Sequence, residues 1–199
     1  MPELPGYLDL MGAGHLLGYI IGLFTLGALV SRLFAGKIAD RAGRKVVMVF
    51  GTSVTVIAGF LYVLLGSVSD YSTGMLGVWL FLALRFFHGL STGFRPIGSS
   101  ALLTDIVPYN RRGEALGFLG VAGNAGMAGG PAVGSYLAVE YGYDAMFLTS
   151  SILGIFSLLF TLKLPETLPN SRKVLWSDLN VFKGKNFDIA AWPAAFSLL

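Results

Sequence analysis

Residues 15–66 read HLLGYIIGLFTLGALVSRLFAG, then KIADRAGRK, then VVMVFGTSVTVIAGFLYVLLG. At about 1.5 Å per residue, each apolar run is long enough to cross a hydrocarbon core of roughly 30 Å. Between them the charges gather in one short stretch, with Lys37, Arg41, Arg44 and Lys45 around the single acid Asp40. Two apolar helices joined by a short cationic turn make a membrane hairpin, and the rest of the chain repeats the theme. Of 199 residues, 54% are hydrophobic and only 13% charged, against the roughly one quarter charged of soluble domains. Mean hydropathy is +0.70. Twenty-seven glycines with no triplet period suit close-packed membrane helices. The chain has no Cys, so disulfide scaffolds, thiolate metal sites and cysteine nucleophiles are excluded. A net charge of +3 without a basic cluster does not point to nucleic acid.

The apolar runs predict five complete spans at His15–Gly36, Val46–Gly66, Met75–Thr104, Glu114–Leu137 and Asp144–Lys163, and a truncated sixth from Asp188 to the last residue. The fold class expected is therefore an all-α integral membrane bundle, incomplete, with residues 1–14 an outer loop and residues 15–164 the spans. Residues 165–187 read as a cytoplasmic linker with amphipathic character, and 188–199 as the start of a further helix. Lys37, Arg41, Arg44, Lys45, Arg111, Arg112, Lys163, Arg172, Lys173, Lys183 and Lys185 all fall in alternate segments. The intervening stretches 1–14, 67–74 and 140–143 hold no Lys or Arg. Cytoplasmic loops retain the positive residues, which places the N-terminus, Asp70 and Glu140 outside a plasma (inner) membrane crossed several times.

The loop Gly36-Lys-Ile-Ala-Asp40-Arg41-Ala-Gly43-Arg44-Lys45 resembles the signature between helices 2 and 3 of the major facilitator superfamily. Gly43 suits a tight turn needing positive φ, and Asp40 among cations should stay ionised and paired. A second match lies at Gly117-x8-Gly126-x3-Gly130-Pro131-x2-Gly134-Ser135, similar to the helix-5 motif of the drug/proton antiporter branch, with Ser135 where that branch has a second Gly. Gly126, Gly130 and Gly134 share one face where another helix can come close, and Pro131 predicts a bend. The resemblance makes the five spans helices 2 to 6 of twelve. It also implies that helix 1 and the C-terminal half are partners lying outside this chain.

Arg85, His88, Thr92, Arg95 and Ser99 recur every three or four residues, within about 80° of one helix face and over roughly 21 Å of rise. Charge facing lipid at such depth costs several kcal/mol, so the stripe should face water or protein. Arg85-Phe-Phe-His88-Gly89 resembles the antiporter motif R-x-x-Q-G with His in place of Gln, a side chain that titrates near neutral pH. His88 is thus a candidate proton carrier, or a packing residue bonded to a neighbouring helix. None of the apolar stretches Leu16–Phe34, Val46–Leu65, Leu76–Leu103, Ala115–Leu137 or Ala145–Leu162 contains Asp or Glu, which leaves the half-cavity cationic.

These features imply a secondary transporter working by alternating access, with a lipid bilayer, a small-molecule substrate and protons as partners. The expected activity is proton-coupled efflux of an amphipathic compound. The same residues leave open proton-coupled uptake, organic-anion exchange, and, in another class, a non-transporting scaffold or inactive fragment. No cofactor, metal site, nucleic acid or enzyme chemistry is expected, since metal-spaced His pairs, Gly-x-Ser-x-Gly and paired carboxylates are missing.

Overall fold

The computed structural model describes residues 14–69 and 74–168, and these are helical almost throughout. A 3₁₀ turn at Gly14–Leu16 leads into α1, Leu17–Ala42. Gly43 separates it from α2, Arg44–Ser69, and α3 follows at Gly74–Ile106. A second 3₁₀ turn at Tyr109–Arg111 precedes α4, Arg112–Lys163. Each of the four helices is long and apolar enough to cross a membrane. Asp70, the expected outer loop 1–13, most of the linker and the start of a further helix lie outside the described residues.

The fourth and fifth expected spans form one element. The stretch 140–143, expected to be a loop, remains within α4 and is broken only at Gly142, where φ is 85° and ψ 168°. A single glycine can reverse the local backbone where any residue with a Cβ would be strained, so no longer turn is needed. The chain stays helical through Pro131, so the break falls eleven residues later than the proline suggests. Pro96 likewise lies inside α3.

Glycines decide which helices pair most closely. A Cβ at Gly27 would collide with the Phe86 carbonyl oxygen, and one at Gly89 with the Phe24 carbonyl oxygen. One at Gly93 would strike the Ser31 hydroxyl. The backbones of α1 and α3 therefore touch along their length, as small residues permit in membranes. Gly51 and Gly98 admit side chains between α2 and α3, and Gly59 and Gly154 do so between α2 and the second arm of α4. Toward the start of α1 the bundle is filled by Ile20, Ala58, Tyr62, Phe81 and Phe147, and toward the Gly43 end by Ala35, Ala39, Val47 and Phe94. Large apolar side chains such as Leu76, Trp79, Phe87 and Phe160 point outward, exposed as lipid-facing residues should be.

Candidate functional site

The stripe on α3 changes character along its length. Arg85 and His88 are buried, Thr92 and Ser99 are half-buried, and Arg95 is exposed. The Arg85 guanidinium carbon lies 4.9 Å from the centre of the Phe24 ring of α1, a cation–π arrangement. Its Nε has no hydrogen-bond partner. His88 is clamped between two helices: its ring meets Phe24 edge-on at 5.6 Å, and its Nδ1 lies 3.4 Å from the Tyr62 hydroxyl of α2. That distance is long for a hydrogen bond. Tyr62 is fully buried and stacks on Phe147 at 5.1 Å, which fixes it from the far side. Four helical segments thus meet at mid-depth around one arginine and one histidine.

Further along, the hydroxyls are satisfied by their own helix. Thr92 Oγ1 donates to the Gly89 carbonyl at 2.6 Å and Ser99 Oγ to the Pro96 carbonyl at 3.1 Å. Such back-bonds let a hydroxyl line an apolar helix without a partner elsewhere. The exposed apolar residues Leu76, Leu80 and Phe87 of α3 centre about 120° around the helix from the stripe, at 100° per residue. The stripe therefore turns away from the lipid side of α3, covered by Tyr62 and Phe24 at Arg85 and His88, with Arg95 exposed beyond them.

The inner loop forms a second constellation. Gly43 adopts φ 128° and ψ 150°, a region open in practice only to glycine. This sharp junction starts α2 with Arg44, whose guanidinium reaches Asp105 at the end of α3 (2.9 Å), Asp40 (3.3 Å) and the Ala39 carbonyl (2.9 Å). Asp40 is paired as expected but 71% exposed, so its other face is open. The expected loop is almost wholly helical: Gly36, Lys37, Asp40 and Arg41 lie in the last turns of α1, Arg44 and Lys45 in the first turn of α2, and Gly43 alone joins them. Lys45 Nζ donates to the Leu162 carbonyl at 2.6 Å.

Sequence reasoning missed Glu166 and Asp105. Glu166 follows α4, and its carboxylate accepts the backbone N–H groups of Arg44 and Lys45, both at 3.0 Å. It therefore caps the start of α2 from more than a hundred residues away, satisfying donors that the helix leaves open. Partial burial pushes the Glu166 carboxyl up, but bonds from the N–H groups of Leu168, Arg44, Lys45 and Thr167 outweigh it and hold the group below its ordinary value. Thr167 Oγ1 donates to Asp105 at 2.7 Å, so α2, α3 and the end of α4 are tied at one point. One signal was available: α2 has no acid in its first turn to cap it.

The glycine-rich arm of α4 stands apart. Gly117, Gly126 and Gly130 have open space where a side chain would begin, and Gly134 has only Met146 at 3.8 Å. No described helix occupies this face.

The sequence matches the profile of the Major Facilitator Superfamily over residues 1–198. The chain belongs to the major facilitator superfamily. It is similar to the multidrug resistance protein MdtG of Yersinia enterocolitica, at 34% identity over 77% of this chain and 36% of that protein. The MdtG proteins of Salmonella typhi (34%, over 87% of this chain) and of a Rahnella strain (32%, over 92%) are similar along more of it. The chain spans between 36% and 43% of the length of these curated relatives. As a member of this superfamily it is a multi-pass membrane protein. Within the superfamily frame, the signature loop is the stretch pinned by Glu166 and Asp105, and the helix-5 motif is the open face of α4.

Proposed function

We propose that the protein is the first helical half of an alternating-access exporter, carrying a small amphipathic compound outward in exchange for protons. The observation that carries this reading is the stripe on α3: cationic, turned away from lipid, with Arg85 and His88 buried at mid-helix and Arg95 exposed beyond them. A path that closes at the midplane is what a carrier needs, since a continuous pore would dissipate the gradient. Export as the direction rests on the relatives, which are named multidrug resistance proteins.

In this reading α4 crosses twice. Its 52 residues span about 78 Å, more than double the hydrocarbon thickness, and the Gly142 break marks the outer return. The chain then has five full crossings with the N-terminal side outside. A second bundle, of the kind the longer relatives have room for, faces the first. The backbone contacts of α1 with α3, together with the Arg44–Asp105–Thr167–Glu166 tie, hold the described helices as one body that rocks as a unit. Asp40, exposed on one side, acts as the inner latch toward the opposite half. The open face of Gly126 and Gly130 is where a helix of that half packs. His88 carries the coupling proton, and Tyr62 holds its ring.

Proteoliposomes containing the full-length protein test the reading. A pH gradient, acid on the side that receives substrate, should drive uphill accumulation from a panel of amphipathic dyes, and collapsing the gradient should release it. Accumulation indifferent to the gradient would remove proton coupling, and none with any dye would remove the exporter reading.

A further inference from the structure

We infer that the inner half of the α3 stripe recognises an anion, with Arg95 pairing the carboxylate or sulfonate head of the transported compound. This rests on the transport reading and adds the charge of what is carried. Arg95 lies eleven residues before the end of α3, about 16 Å from the inner end of that helix. Its side chain is exposed, and its stem is braced against α2: a Cβ at Gly51 would stand 2.9 Å from Arg95 Cγ and 3.0 Å from Phe94 Cβ. The guanidinium is thus held at one depth by a notch that only glycine provides.

The described carboxylates near the inner end are already engaged. Asp105 holds Arg44 and Thr167, Asp40 holds Arg44, Glu114 holds Arg111 at 2.9 Å, and Glu166 holds the start of α2. None of the apolar runs supplies an acid at the depth of Arg95. Thr92 and Ser99, one turn to either side, direct their hydrogens to their own backbone and bring no negative charge. Deeper along the stripe the next charged group is Arg85, which raises the positive potential further. A guanidinium at this depth with no acid beside it needs a counter-charge, and a substrate acid reaching it from the inner side supplies one.

The chain has no cysteine, so Ser99→Cys, with any cysteine elsewhere in the full-length protein replaced by serine, introduces a single thiol one turn from Arg95. In inside-out vesicles bearing the full-length protein, this thiol is reacted with two methanethiosulfonates of similar size, one ending in a sulfonate and one in a trimethylammonium. Each rate is divided by that of a free thiol. The anionic reagent should be favoured about tenfold or more. Arg95→Gln should bring the ratio near one, and Arg95→Lys should retain most of it. Thr92→Cys repeats the measurement from the other side of Arg95. Equal rates, or faster cationic labelling with Arg95 present, overturn the inference: an acid from elsewhere would then already neutralise the site. Charge-blind labelling leaves the transport reading intact, whereas no labelling by either reagent removes the open cleft on which both rest.

Discussion

Replacing Gly89 with alanine tests the packing that makes α1 and α3 one body. The new methyl would overlap the Phe24 carbonyl oxygen and stand 3.0 Å from the Phe24 carbonyl carbon and 3.1 Å from its Cα. Carbon atoms in contact prefer about 3.5–4.0 Å, so the two backbones must separate by about 0.5–1 Å. The obstacle is main chain, not a flexible side-chain tip, and the shift spreads to the Gly27 and Gly93 contacts on the same seam. Overpacking costs typically about 1–3 kcal/mol, and a backbone clash belongs at the upper end. For a chain of this size that lowers the midpoint of thermal unfolding by about 6–12 °C. The control is Gly120→Ala on the open arm of α4, where no atom lies within 4 Å. It should stay within about 0.5 kcal/mol of the parent. Circular dichroism melts in mild detergent compare the three proteins. If Gly89→Ala melts with the parent, or if Gly120→Ala falls as far as Gly89→Ala, the backbone seam is not what joins these helices.

Other outcomes follow from the inner tie and the buried histidine. Glu166→Gln should cost about 0.5–1 kcal/mol through the weakened cap on α2, read from the same melts. The Glu166 carboxyl is held below its ordinary value, so its stabilising share is complete above the unfolded-state value and is lost as pH falls through the lowered folded one. The parent should therefore lose stability relative to Glu166→Gln on acidification below about pH 4.5, with the two curves parallel near neutrality. Gly43→Ala should destabilise by about 1–3 kcal/mol, because φ 128° suits no side chain and the methyl would strike Glu166. Its effect should shrink in a Glu166→Ala background, a non-additivity that a double-mutant cycle measures. His88→Gln should leave the melt nearly unchanged while gradient-driven dye accumulation falls at least about tenfold; undiminished coupling would reduce His88 to a packing residue.

The helices and their approximate ends were legible because an apolar run of some twenty residues has few other folded uses. The first three expected runs fall in α1, α2 and α3, whereas the fourth and fifth lie in the single element α4, broken at Gly142, and the loop expected at 37–45 shrinks to Gly43. The shared face of Arg85, His88, Thr92, Arg95 and Ser99 was legible too, since it depends on helix periodicity alone. How deeply each is buried was not. The sealing of Arg85 and His88 depends on Phe24 and Tyr62, which belong to other helices and look like ordinary apolar filling in the sequence. The same holds for Glu166, whose partners Arg44 and Lys45 are brought to it only by the folded bundle. Periodicity reports what one helix presents, and the contacts between helices set what each presented group can do.

The central claim is that the α3 stripe lines a path open to one side of the membrane at a time. Its most direct test is labelling of Thr92→Cys in the full-length protein by a membrane-impermeant maleimide. Right-side-out and inside-out vesicles are compared with and without an imposed pH gradient. At rest the thiol should react from the cytoplasmic side alone, and the gradient should transfer a measurable part of that reactivity to the outer side. Labelling that stays on one side under both conditions, or proceeds from both sides at once, would contradict alternating access through this stripe.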